Sequence, residues 1–297
     1  MYLRGHKEKD YWNMKNLETR TSIRKYAQRE VSNQLLHRLL SQAERTQTMG
    51  NLQLYSVVVT RDEAQKAALA PAHFNQPMIT QAAVVLTFCA DFRRFSQWCR
   101  FREAQPGYDN LQSFMWAVVD AVAATQNACI AAESMGLGIC YLGTVTFNAH
   151  ELIKIYQLPK GVVPVTCVTL GHPAGETPKN SRLPMDGVVH REFYQDYDES
   201  RIDAIYAERE SSEETHQLLK ENDLPNLNEN TCNLINYSNF PEPLRKSKTF
   251  SDDESIHSRK INEKDILYFL YSRTGPLFII FPLYYLCLSN INNKVGK

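Results

Sequence analysis

The sequence predicts a mixed fold, α/β or α+β, in which helices cover both faces of a central sheet. Residues 82–89 and 162–170 are predominantly apolar runs, which are typical of strands buried on both faces. Residues 116–135 carry only two charges, Asp120 and Glu133, and this composition predicts a helix buried on nearly every face. Strand and helix signals alternate along the chain, so the elements are expected to pack as layers.

Composition narrows the class of protein. The 297 residues include 33 basic and 33 acidic side chains, so the formal net charge is zero, which argues against a general binder of nucleic acid or anionic membranes. The seven cysteines are scattered and contain no C-x-x-C pair, which indicates reduced core thiols rather than disulfides or a metal site. The N-terminus lacks an apolar secretory segment, so we expect a cytoplasmic protein.

The first half of the chain carries helix and strand signals in order. Residues 1–16 are polar and are predicted to form an extension. Leucines repeat at helical spacing within residues 31–42, where Ser32 is the predicted N-cap. The β-branched run 55–60 predicts a strand, and residues 63–69 predict a short helix.

The second half is organised around the two-charge helix. Gly136 and Gly138 are expected to end it, and residues 139–142 predict a short strand that ends at Gly143. Residues 148–151 have the form of a capping box, which predicts a further short helix before the last buried strand.

Two segments are rich in arginine. Residues 91–102 combine arginine with aromatic side chains, but with zero net charge an exposed helix is favoured over stacking on nucleic acid. Residues 20–24, RTSIR, precede a helix and therefore lie on a loop or first turn. Two arginines beside a serine suit a phosphate, because arginine offers forked charged donors and serine a hydroxyl. The residues alone leave a phosphate site and a solvated basic turn both open.

No pattern in the sequence predicts a side-chain catalytic centre. The chain lacks G-x-G-x-x-G after a strand, G-x-x-x-x-G-K-[ST], G-x-S-x-G and H-E-x-x-H, and its eight histidines are dispersed. Neither a Rossmann site, a P-loop, a nucleophile elbow nor a zinc site is supported. The chemistry is therefore expected to come from a bound cofactor.

Six short phrases occur along the chain. They are RTSIR at 20–24, GNLQ at 50–53, FCADF at 88–92, QNACIAAESMGLG at 126–138, YLG at 141–143 and RLP at 182–184. In this order and at these intervals they resemble the FMN-dependent nitroreductase family, most closely its bacterial branch of oxygen-insensitive NADPH nitroreductases and flavin reductases. The resemblance extends over roughly residues 17–210.

This resemblance implies an α+β fold with a mixed or antiparallel central sheet flanked by helices. It also implies a homodimer that binds FMN at the subunit interface, with the buried central helix at residues 116–135. The FMN-binding domain would span residues 17–222. NADPH or NADH would donate hydride to flavin N5, and a nitroaromatic, quinone or flavin molecule would accept the electrons.

The resemblance also implies residues for the phosphate of FMN. Many relatives have a lysine where this chain has Asn180, and the adjacent Lys179 would take over its charge. Arg182 would join the phosphate site from the same loop. The other residues that the resemblance implies at the phosphate are Arg20, Thr21 and Ser22.

Further residues are implied around the isoalloxazine ring. Arg24 would act as a catalytic residue by stabilising the negative charge that reduction places near N1 and the C2 carbonyl, and Gln76 would hydrogen-bond the polar edge of the ring. A turn of the partner subunit would approach the cofactor through Thr48, Met49, Gly50 and Asn51. A last group would lie against the ring, with the backbone N–H at Gly143 available to N5: Tyr141, Leu142, Gly143 and Thr144. Many relatives have a second glycine in place of Thr144.

From about residue 224 the likeness ends, and residues 223–297 are predicted to form a divergent, partly disordered tail. Its apolar run 276–288 is shorter than the about 20 residues of a membrane-spanning helix, so a docked segment is favoured and a membrane-surface contact stays open. The divergent tail leaves open a catalytically silent flavin-binding protein. Another flavin reaction on the same scaffold, such as reductive dehalogenation, is a further alternative.

Overall fold

The structure, a computed structural model, describes residues 17–107, 110–179 and 181–221. The predicted extension 1–16, Asn180 and the predicted tail 223–297 with its apolar run lie outside these residues. The described residues divide into two compact units, which we call the first unit (17–178) and the second unit (179–221). The predicted domain boundaries after residues 16 and 222 stay predictions.

The first unit contains a four-stranded sheet. Its strands are β1 (Tyr55–Thr60), β2 (Val84–Asp91), β3 (Gly138–Leu142) and β4 (Val162–Gly171). They lie in the order β1-β2-β4-β3, and each neighbouring pair is antiparallel. Antiparallel pairing decides between the two predicted classes in favour of α+β, because an α/β fold needs parallel strands joined by crossover helices.

Both faces of this sheet are covered, as the apolar strands predict. The described residues of the first unit form the helices α1 (Asn33–Ala43), α2 (Glu63–Leu69), α3 (Met78–Gln81), α4 (Arg93–Arg100), α5 (Leu111–Ser134) and α6 (Ala149–Ile155). Leu86 and Phe88 of β2 belong to a core shared with α1 and α5. Val85, which directly precedes Leu86, belongs to a second core with α2, α3 and α6. The alternation follows from the two-residue period of a strand.

Local capping sets where two of these helices begin. The Ser32 hydroxyl accepts from Leu35 N at 3.2 Å, which confirms the predicted N-cap of α1. α5 begins five residues earlier than predicted, because Asn110 and Ser113 form a capping box. The capping box predicted at residues 148–151 is wrong: Asn148 caps nothing, and its side chain instead donates to Ala72 O at 2.8 Å.

The central helix α5 is buried on one side only. A row of small residues, Ala121, Ala124 and Ala128, packs in the core beneath the sheet. On another side Val119 and Val122 are each 43% exposed. Burial on nearly every face, expected from composition, is therefore wrong for the single chain. By length and composition α5 could also cross a membrane, but half of that stretch is buried inside the first unit, as is usual for a core helix.

The second unit is helical in its later part. It contains α7 (Glu199–Glu210) and α8 (Glu213–Glu221). Asp198 caps α7 by accepting from Arg201 N at 2.8 Å. The break between the helices lies at Ser211 and Ser212, whose hydroxyls donate to carbonyls of the last turn of α7, at Ala207 and Arg209. Both carbonyls also accept from the backbone N–H of the same serine, so the hydroxyls add a second hydrogen bond at the end of the helix.

Candidate functional site

The basic segment 20–24 lies beside β3. Ile23 N donates to Ile139 O at 2.8 Å. This close approach requires glycine at position 138, since a Cβ built there would lie 2.7 Å from Ile23 Cβ. The segment that the sequence left as a loop or first turn is thus held against the strand that follows α5.

Arg20 has a carboxylate partner. Its Nε and Nη2 donate to the Glu133 carboxylate at 2.9 to 3.0 Å, and the two side chains are only 23% and 13% exposed. With its amide oxygen turned toward the guanidinium, Gln126 accepts from Arg20 Nη2 at 3.2 Å. The hydrogen bond and charge of Glu133 raise the pKa of Arg20 above its usual value. Glu133 therefore neutralises the positive charge of Arg20, the residue that the resemblance implies at the FMN phosphate.

The next two residues of the segment differ in how they are engaged. The Thr21 hydroxyl donates to Pro178 O at 2.9 Å, so its proton is used within the first unit. Ser22 is half-buried and forms no hydrogen bond through its hydroxyl within the described residues. Of the two, Ser22 is the residue whose hydroxyl is available to a ligand.

Arg24 is exposed and lies against β3. Burial raises the pKa of the Cys140 thiol, and the charge and hydrogen bond of Arg24 act in the opposite direction. The neighbouring Tyr141 is 37% exposed; burial raises the pKa of its hydroxyl, whose hydrogen-bond partner Thr125 lies on α5. An arginine and an aromatic ring are therefore both accessible along this strand.

β3 runs directly into a short 3-10 helix, Gly143–Thr146. Gly143 is exposed, and no atom lies within 4 Å of the Cβ position there. The Thr144 hydroxyl and His73 Nδ1 are 2.7 Å apart. His73 is fully buried, and burial lowers its pKa from 6.5 to about 4. The backbone at Gly143 is thus open to a ligand, while its neighbour is tied to the core.

Two buried polar atoms lack partners within the described residues, and both belong to one loop. They are His73 Nε2 and Gln76 Oε1. Gln76 N donates to His73 O at 3.2 Å, which ties the two residues together. A buried oxygen without a partner costs roughly 1–3 kcal/mol, a cost that a bound donor removes. Gln76 Oε1 therefore fits a ligand that presents an N–H, and the polar edge of a flavin does so.

The turn at residues 48–51 is held elsewhere, by a carboxylate on α5. Asp120 is fully buried and accepts from Met49 N at 2.8 Å and from Leu54 N at 3.0 Å. The backbone between them is left-handed at Gly50 and Asn51, with φ of 56° and 55°. Glycine and asparagine adopt left-handed φ more readily than other residues, so these two positions suit the turn, whereas Gln53, also left-handed with φ of 54°, does not.

The single chain brings together some of the predicted residues and separates others. Arg20, Arg24, Tyr141 and Gly143 lie along or beside β3. Asp120 and Glu133 are about 20 Å apart along α5 at 1.5 Å per residue, so the turn held by Asp120 is far from the anchor of Arg20. Lys179 and Arg182 belong to the second unit, where Arg182 Nη1 donates to Ser181 O at 2.9 Å. Their predicted contact with FMN stays a prediction.

Three residues of this region had no role predicted from sequence. Asp120 and Glu133 are identified from the sequence only as the two charges of an apolar helix, and His73 only as one of eight dispersed histidines. The signal was present for the carboxylates, because a charge on a helix that is otherwise apolar needs a partner when buried. No sequence signal distinguishes His73 from a solvated histidine.

Comparison with known proteins defines the class. The family model described as "Nitroreductase family" matches residues 17–172, which is more than half of the chain. The chain therefore belongs to the nitroreductase family, and the resemblance found in the six phrases is confirmed. The α+β fold agrees with the structures of this family.

Individual relatives carry activity names. An FMN reductase [NAD(P)H] of Bacillus subtilis is 35% identical over 188 residues, which cover 63% of this chain and 76% of that protein. An oxygen-insensitive NADPH nitroreductase of Salmonella typhimurium is 36% identical over 61% of this chain and 74% of that protein. A crystal structure from Bacteroides fragilis, described as an oxidoreductase, superposes with a TM-score of 0.73 at 45% identity, covering 77% of this chain and 92% of that chain.

The pairing of Arg20 with Glu133 predicts the effect of one substitution. We expect Glu133→Gln to lower the free energy of unfolding by about 1–2 kcal/mol, less than the 3–5 kcal/mol typical of a fully buried pair, because both side chains keep some exposure. Chemical unfolding in urea measures this change in the free energy of unfolding. Glu151→Gln, which breaks the exposed pair with Lys154, is the control and should leave stability unchanged. Equal effects of the two variants would contradict the anchoring role of Glu133.

His73 predicts a pH dependence of stability. The folded state holds the ring neutral down to about pH 4, whereas the unfolded chain binds a proton near pH 6.5. The contribution of neutral His73 to the free energy of unfolding is complete above pH 6.5 and is lost as the pH falls to 4. This loss amounts to about 3 kcal/mol.

Urea unfolding of wild type and His73→Asn at pH 7 and pH 4 isolates this effect, because the other groups titrate in both proteins. We expect the stability of wild type relative to the variant to fall by about 3 kcal/mol between the two pH values. His37→Asn, at an exposed position of α1, is the matched control and should show no such change. A pH-independent difference for His73→Asn would refute the assignment.

Proposed function

We propose that this protein is an FMN-dependent NAD(P)H oxidoreductase that reduces nitroaromatic, quinone or flavin acceptors. The observation that carries the proposal is the set of groups placed along β3 and at its end: an exposed arginine, an exposed glycine and, on the loop tied to Thr144, a buried oxygen that lacks a donor. These residues are Arg24, Gly143 and Gln76. When bound, FMN supplies the redox chemistry by accepting hydride from the nicotinamide and passing two electrons to the acceptor.

The residues of the first unit divide the binding task. Ser22, with its available hydroxyl, and Arg20 would hold the phosphate, where Glu133 already fixes the guanidinium and reduces its net charge. Arg24 would supply positive charge beside the ring, and Gln76 Oε1 would accept from an N–H of its polar edge. Gly143 is exposed, and its backbone N–H would donate to the ring.

The nature of the electron donor follows from the relatives. Their names specify NADPH in one case and NAD(P)H in the other. We propose that this chain uses NADPH or NADH, with preference for NADPH. The acceptors are flat electrophiles that enter the same site.

The active form would be a homodimer. Val119 and Val122 form an exposed apolar strip on α5, which a second copy would cover. The turn 48–51 is far from Arg20 within one chain, so a second copy would have to supply it to the same cofactor. We also propose a cytoplasmic location, because the described cysteines are free thiols, as expected in a reducing compartment. No nucleic acid or membrane partner is proposed.

The first experiment is the visible absorption spectrum of the purified protein before and after anaerobic addition of NADPH. A bound flavin spectrum that bleaches, followed by reoxidation with a nitroaromatic or quinone, is the expected result. Bound flavin that neither NADPH nor NADH bleaches would instead favour a silent flavin-binding protein. A protein that takes up no added FMN would refute the proposal, and an acceptor screen separates nitroreduction from dehalogenation.

The role of Arg24 predicts a kinetic defect. We expect Arg24→Ala to slow anaerobic bleaching by NADPH about tenfold or more, because a fixed positive charge stabilises the negative charge of reduction. Stopped-flow absorbance measures this rate on protein with full FMN occupancy. Lys25→Ala removes the adjacent exposed charge and should match wild type. Unchanged kinetics in Arg24→Ala at full occupancy would remove the role from this residue.

A further inference from the structure

Two side-chain hydrogen bonds join the loop that carries Gln76 to the turn that carries Gly143. His73 Nδ1 pairs with the Thr144 hydroxyl at 2.7 Å. Asn148 Nδ2 donates to Ala72 O at 2.8 Å. Both predicted contacts with FMN therefore depend on one small set of interactions between two segments that are distant in sequence.

His73 is the centre of this connection. Its ring is fully buried. The backbone hydrogen bond from Gln76 N to His73 O couples the position of the glutamine to that of the histidine. Phe74 and Asn75 between them are left-handed, with φ of 55° and 54°, so the chain reverses tightly at this point. A left-handed phenylalanine is uncommon and persists only where its surroundings hold it.

A histidine that only filled space would be a poor choice here. Its Nε2 is buried and has no partner within the described residues, which costs roughly 1–3 kcal/mol that a leucine of similar volume would avoid. Within the part of the chain that the structure describes, the one hydrogen bond of the ring reaches the Thr144 hydroxyl. The hydrogen bond between Nδ1 and the Thr144 hydroxyl therefore explains why an imidazole occupies this position.

We infer that His73 is a positioning residue which, through the Thr144 hydroxyl, fixes the Gly143–Thr146 turn relative to Gln76 in the arrangement that bound FMN requires. This inference rests on the proposed function. It also gives Thr144 a defined part: its hydroxyl links the turn to the core, a link that glycine could not make.

Two matched pairs of variants test the hydrogen bond itself. Thr144→Val removes the hydroxyl at nearly constant shape, and Thr144→Ser keeps it. His73→Asn puts an amide where Nδ1 lies, whereas His73→Gln puts it where Nε2 lies. Each variant is measured for FMN affinity by quenching of flavin fluorescence, for the midpoint potential of the bound flavin, and for unfolding in urea without FMN.

We expect Thr144→Val and His73→Gln each to weaken FMN binding about tenfold, as loss of one well-formed hydrogen bond would, and to shift the midpoint potential. Thr144→Ser and His73→Asn should restore most of the affinity. The double variant that combines Thr144→Val with His73→Gln should bind FMN no more weakly than either single variant. Both substitutions remove the same hydrogen bond, so its loss is counted once.

Other results would overturn the inference. If Thr144→Val and His73→Gln lower stability but leave affinity and potential at wild-type values, His73 is only a core residue. If Thr144→Val is impaired and His73→Gln is not, Thr144 acts without His73. Both cases require wild type that binds FMN and is bleached by NADPH. Wild type that takes up no FMN refutes the proposed function, and the inference falls with it.

Discussion

Helix α5 carries only two charges, and each holds a different segment in place. Asp120 is enclosed in the protein and accepts from two backbone N–H groups of the loop that includes residues 48–51. Glu133 near the other end pairs with Arg20 and so anchors the basic segment. A buried carboxylate is costly unless its oxygens are paired, so the two segments are bound to the helix by the need to satisfy these charges. The two anchors are about 20 Å apart along α5.

The two arginines of the basic segment differ in how much charge they leave for a ligand. Arg20 is paired with Glu133 and contacts Gln126, which reduces its net charge, whereas Arg24 is exposed. The two arginines are four residues apart, and the strand-like stretch between them is pressed against β3 where Gly138 leaves room. The electrostatic field available to a bound anion is therefore smaller than the count of basic residues implies. Hydroxyl and backbone N–H donors would then contribute more to binding that anion.

The apolar character of α5 serves two surfaces. Its alanine side packs against the sheet, where small residues allow close approach, and the valines at 119 and 122 remain exposed. Composition does not separate these surfaces, since a buried core and a subunit interface both favour apolar residues. This is why the sequence predicted burial on nearly every face and the single chain shows burial on one side. The proposed homodimer accounts for the remainder of the apolar surface.

The sequence by itself determined the elements with strong local signals. The strand at 55–60, the Ser32 cap and the family resemblance of the six phrases were all legible, because hydrophobic period, capping and motif spacing act over a few residues. Only the tertiary structure decided the antiparallel order, the failure of the capping box at Asn148, and the partners of Asp120, Glu133 and His73. Those partners are 66 to 113 residues away in the chain, and a hydrogen bond over that separation leaves no local pattern to read.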